Sequence, residues 1–132
     1  MNSINSLFSK IKRILGLDQV FSIEEIFSIY FEHLKRNGLD IDQPLRWSFT
    51  FVDPKREKLD TILQILTKSG YRSECIKQQT SNANKWTLTV SKIEVLSMDK
   101  FRQRNNRLQQ LTDYYKIEQY DGWHVEKVDS SY

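Results

Sequence analysis

Few residues in this 132-residue chain are of the types that carry out covalent or metal chemistry. Cys75 is the single cysteine, and His33 and His124 are the only histidines. A thiol nucleophile needs a base within hydrogen-bond reach, and nothing in the spacing brings either imidazole beside Cys75. Cys75 reads instead as a small apolar strand residue. His33 lacks a partner at metal-ligand spacing and reads as a solvated helix histidine. The run DIDQP carries Asp40 and Asp42, but without the Gly and Glu that a calcium loop needs at its sixth and twelfth positions, so it is a turn. A glycine-rich phosphate loop and a nucleophile elbow are both missing. No catalytic residue, metal ligand or cofactor is expected, and the chain does not read as an enzyme.

Binding chemistry is better represented. The stretch KFRQRNNR holds Lys100, Arg102, Arg104 and Arg107 with no acid between Asp99 and Asp113. Successive helical positions rotate by about 100°, so these four spread over a broad arc rather than a line. Such a patch suits RNA phosphates or an acidic protein segment; the plainer alternative is a solvated face neutralised by nearby acids. The second feature is Tyr120-Asp121-Gly122-Trp123. Asp-Gly permits a bulge or tight turn, and the two aromatics around it can pack on the adjacent strand. That is a structural role; a recognition hot spot is the alternative.

The elements that must position these residues follow from periodicity. The run WTLTVSKIEVL alternates, with Trp86, Leu88 and Val90 on one side and Thr87, Thr89 and Ser91 on the other, as in a half-buried strand. Ser97 or Asp99 can cap the helix that follows, and Phe101, Leu108, Leu111 and Tyr115 give its apolar spacing. Tyr120 to Trp123 then leads into another alternating run.

Upstream, residues 22–38 are the clearest helix. Ser22 and Glu25 form a capping box, Ile23, Ile26, Phe27, Tyr30 and Leu34 line the buried face, and Gly38 is the stop. Leu45 to Val52 alternates, with Leu45, Trp47, Phe49 and Phe51 on one face: a core side beneath helices, or a platform on which bases stack. Asp53-Pro54 looks like an N-cap followed by proline at the first helical position. Leu59, Ile62, Leu63 and Leu66 mark that helix, which Gly70 ends. Tyr71 to Gln78 reads as a strand, joined to Trp86 by the polar turn TSNANK.

From Leu45 the order is strand, helix, strand, strand, helix, strand. The expected fold is α+β, a ferredoxin-like βαββαβ sandwich with a four-stranded antiparallel sheet, two helices on one face and two extra N-terminal helices. Residues 1–20 are expected to form an amphipathic helix extension and residues 21–132 a single domain. Within the extension, residues 3–16 place Ile4, Leu7, Phe8, Ile11, Ile14 and Leu15 on one stripe and Lys10, Lys12 and Arg13 off it. The stripe docks on its own domain, or it meets a membrane surface or a partner.

Charge narrows the possible partners. The formal net charge is +3, and residues 1–17 contribute three cations and no acid, which leaves 17 basic and 17 acidic side chains beyond them. A balanced body is not the composition of a general nucleic-acid binder. No apolar run approaches the length of a membrane span, the N-terminus lacks the features of a secretory signal, and a lone cysteine suits a reducing compartment. A cytoplasmic protein is expected.

The WTLTVSK strand, its helix, and Tyr120-Asp121-Gly122-Trp123 with a short strand resemble the regulator of ribonuclease E activity B (RraB) family. Gly38, Asp40 and Pro44 in the loop before an aromatic-rich strand, and the helix from Asp53 to Gly70 ending in a Gly-Tyr step, share that resemblance, which spans roughly residues 22 to 128. It implies a bacterial, non-catalytic protein inhibitor that binds ribonuclease E outside its catalytic half and changes RNA turnover. The main alternative is a direct RNA-binding module that uses the Lys100 to Arg107 helix and the sheet aromatics.

Overall fold

The computed structural model describes residues 10–16 and 22–128. A helical stretch, α1, covers residues 10–15. It is followed by α2 (Ile23–Arg36), β1 (Leu45–Asp53), α3 (Arg56–Lys68), β2 (Arg72–Gln78), β3 (Trp86–Glu94), α4 (Met98–Tyr114) and β4 (Gln119–Lys127). The four strands form one antiparallel sheet in the order β2-β3-β1-β4, so the fold is α+β with a βαββαβ succession from Leu45 onward.

Register sorts the side chains into two faces. Residues paired directly across an antiparallel ladder lie on the same face of the sheet. Trp47 pairs with Lys92, Phe49 with Val90 and Phe51 with Leu88, and this face carries the core. The helices pack on it: Phe101 of α4 and Phe31 of α2 both touch the Trp47 ring, while Leu59, Ile62 and Leu66 of α3 join the same cluster. On the other face Ser48 pairs with Ser91 and Thr50 with Thr89, so that face is rich in hydroxyls. The alternation read from WTLTVSK is the alternation observed.

Two bulges adjust this pattern. Phe49 pairs with Trp123 and Phe51 with Tyr120, so Thr50 faces both Asp121 and Gly122. Tyr120 and Trp123 are three apart and would otherwise point to opposite faces; the extra residue turns both toward the core. Gly122 has φ +89°, which a side chain rarely adopts. The Asp-Gly step therefore lies inside β4 rather than in a turn before it. In β2 the register shifts between Ser73 and Cys75, and Glu74 is the extra residue.

The capping box at Ser22 and Glu25 is present. Ser97, rather than Asp99, caps α4 by accepting from the Lys100 amide at 3.2 Å. Asp53 does not cap α3. It is the last residue of β1 and is buried, and its carboxylate accepts from Lys55 N at 2.8 Å and Glu118 N at 2.9 Å. The acid thus ties the end of β1 to the segment entering β4, and α3 starts at Arg56 without a side-chain cap.

Both N-terminal helices pack on the core side. Trp123 donates its indole N–H to the Tyr30 hydroxyl at 2.7 Å, joining β4 to α2. Ile11 of α1 is fully buried in the same core, and Lys10 donates to the Asp121 carbonyl at 2.9 Å with its ammonium 4.9 Å from the Trp123 ring centre. Burial lowers the Lys10 pKa, partly offset by the Asp121 carboxylate. Ile4, Leu7 and Phe8 of the expected stripe lie outside the described residues.

Candidate partner-binding surface

The four cations singled out on α4 do not form one patch. Lys100, Arg104 and Arg107 recur at intervals of four and three residues and share a side of the helix. Arg102 lies on another side, 3.8 Å from Glu24 of α2, with its guanidinium over the Phe27 ring. It joins two helices rather than extending a binding face.

Arg104 is held hardest. Its two terminal nitrogens donate to the two Glu94 oxygens at 2.6 Å each, a bidentate pair joining α4 to the end of β3. The same guanidinium lies over the rings of Tyr71 and Phe49, 5.4 and 5.8 Å from their centres. Burial works against its charge, but Glu94 and Tyr71 outweigh it and the Arg104 pKa is raised. Tyr71 is likewise pushed up by burial, with Arg104 opposing.

Lys100 and Arg107 remain exposed and make no ion pair among the described residues. They line a groove with Gln103, Arg104, Glu94 and Val95, floored by the buried Leu96. Beyond Tyr71, the Lys92 ammonium lies 5.1 Å from the ring centre and donates to the Ser69 carbonyl at 3.1 Å. The place of Lys92 beside this site was not apparent, because it stands on β3 rather than on α4 and comes near Arg104 only through the Tyr71 ring that both cations share.

The Tyr120 to Trp123 segment is built into the fold. Tyr120 donates to the Asn105 side-chain oxygen, and Asn105 in turn donates to the Phe101 carbonyl at 2.9 Å. Burial raises the Tyr120 and Tyr30 pKa values. Asn105 and Thr112 are buried on α4 beside the expected Phe101 and Leu108, whereas Leu111 and Tyr115 are only partly covered. Asn105 could not have been read as core from its type; its use depends on Tyr120 being turned inward by the bulge.

The sheet aromatics are not a stacking platform. Trp47, Phe49 and Phe51 are fully buried under the helices, and Trp86 lies beneath the Arg56 guanidinium. Cys75 is a strand residue of β2 as expected, and it is exposed on the hydroxyl-rich face opposite Thr89. His33 stacks on Tyr30, and exposed His124 stands 3.9 Å from Glu126. Among the described residues no three His, Cys, Asp or Glu side chains lie close enough to share a metal ion, and no helix is long and apolar enough to cross a membrane.

No curated protein matches this chain. A family defined as regulator of ribonuclease activity B matches residues 25–125, from the first turn of α2 into β4. That match takes in β1, β2, β3 and α4 whole and most of β4, and the chain belongs to the regulator of ribonuclease activity B family.

Proposed function

We propose that this protein is a non-catalytic regulator that acts by binding a ribonuclease, with ribonuclease E the first target to test, and that it changes RNA turnover in the cytoplasm without touching the scissile bond. Membership of the family carries this reading. The outer side of α4 supports it with a candidate contact ridge. Lys100, Arg107 and Tyr114 follow at seven-residue steps, and Tyr114 is 80% exposed. Positions seven apart on an α-helix differ by only about 20° around the axis, so the three form one strip roughly 20 Å long. Arginine and tyrosine are enriched where one protein holds another, and Lys100 adds charge that can steer the encounter.

The test is to add the purified protein to ribonuclease E and follow cleavage of a structured RNA, with complex formation measured by gel filtration. The expected result is slower cleavage with a co-eluting complex. Recovery of RNA alone, with nuclease treatment removing every protein partner, would end this reading in favour of direct RNA binding through Lys100 and Arg107.

A further inference from the structure

We infer that the groove between α4 and the Tyr71 end of the sheet binds an acidic segment of the protein partner, one that sets an aliphatic side chain beside its carboxylates. The inference rests on the regulator reading above and specifies what the partner must present.

The charge balance of the groove is one-sided. Lys100, Arg104 and Arg107 line the groove, Lys92 adds a fourth cation over the neighbouring Tyr71 ring, and Glu94 is the one acid among the described lining residues. Glu94 is already engaged by both terminal nitrogens of Arg104. Lys100 and Arg107 therefore face the groove with uncompensated charge, while the Arg104 pair fixes the wall on which they stand. Val95 lines the same groove and is 45% exposed. A carboxylate can meet Lys100 or Arg107, and an aliphatic neighbour can cover Val95 and the floor at Leu96.

A nucleic acid fits less well. Phosphates would have to pass Glu94, and bases would find no exposed ring in the groove, since Tyr71 is 8% exposed and already flanked by Lys92 and Arg104. Nonspecific nucleic-acid binding needs a broad basic track, and the chain outside residues 1–17 is balanced in charge.

The probe is a fluorescein-labelled peptide of roughly twelve residues alternating Glu or Asp with Leu, long enough to span the groove when extended. Its binding to the full chain is followed by fluorescence anisotropy. A Lys/Leu peptide and a single-stranded oligouridine serve as comparisons. The Glu/Leu peptide is expected to bind, more weakly as salt rises from about 0.05 to about 0.3 M. Charge reversal of both Lys100→Glu and Arg107→Glu is expected to weaken it by about tenfold or more, whereas Lys77→Glu, exposed on β2, leaves it within about twofold. These are surface positions, and circular dichroism of each variant checks that the fold survives.

Absence of peptide binding, equal binding by the double reversal, or tighter binding of oligouridine than of the peptide would each overturn the inference. The ribonuclease assay separates the two proposals. Slowed cleavage that survives the double reversal would sink the groove and leave the regulator standing. Peptide binding lost on reversal, without any effect on ribonuclease, would sink the target and leave the groove.

Discussion

Trp123 and Tyr30 are 93 positions apart in sequence and share a hydrogen bond of 2.7 Å, with their rings packed edge to face. The last strand is thereby tied to a helix that precedes the βαββαβ unit, so α2 is a working part of the core. Tyr30→Phe keeps the ring and leaves a buried indole N–H without its acceptor. The expected loss is about 1–2 kcal/mol of unfolding free energy, measured by urea denaturation. An unchanged midpoint would mean that the indole finds another acceptor.

Arg104 and Glu94 are each less than a fifth exposed, so removing one leaves the other poorly solvated. Arg104→Ala and Glu94→Ala are each expected to cost about 2–3 kcal/mol, and the double variant less than their sum. A thermodynamic cycle with a coupling near zero would show that the pair contributes little beyond its separate contacts.

At Gly122 two penalties coincide. A Cβ there would meet the end of the Lys10 side chain, and φ is +89°. The lysine can swing away, but the backbone cannot relax without undoing the bulge. Gly122→Ala is expected to lower stability by about 1–2 kcal/mol, and adding Lys10→Ala should recover little of it. Full recovery in the double variant would identify the clash, not the backbone, as the cause.

Ile11 tests whether α1 belongs to the domain. It is fully buried, so Ile11→Ala is expected to cost about 2–4 kcal/mol by thermal or denaturant unfolding. A neutral substitution would return residues 10–15 to the role of a detachable helix awaiting a membrane or partner.

Alkaline pH should destabilise the fold. Burial raises the Tyr120 and Tyr30 pKa values above the ordinary 10.0. Above pH 10 the unfolded chain loses these phenolic protons while the folded chain keeps them, so the unfolded state binds fewer protons and stability falls with rising pH. The stabilisation is fully present below pH 10. Unfolding followed from about pH 9 to pH 11.5 should show the decline, with a shallower slope in Tyr30→Phe.

Much of this architecture was legible in the chain. Ser22 with Glu25, the stripe from Ile26 to Leu34, and the alternation in Leu45 to Val52 and Trp86 to Ser91 are short-range patterns, and each formed the element it implied. They are legible because helix and strand impose different periods on neighbouring residues. Asp53-Pro54 misled because a local motif met a stronger distant demand: the buried carboxylate serves the Glu118 amide across the sheet.

The binding surface was legible only as a list of charges. Residue types alone placed Lys100, Arg102, Arg104 and Arg107 on one helix, excluded a membrane-crossing run, and held the apolar faces that build the core. Tertiary packing decided that Arg102 would turn to Glu24, that Arg104 would be taken by Glu94, and that Lys92 would come in from β3 to share the Tyr71 ring with Arg104. It also decided, through one extra residue in β4, that Tyr120 and Trp123 would face inward together. Periodicity is a property of adjacent residues and can be read along the chain. The partner of a charge or the face of a bulged strand depends on register between segments tens of residues apart, which the folded sheet alone sets.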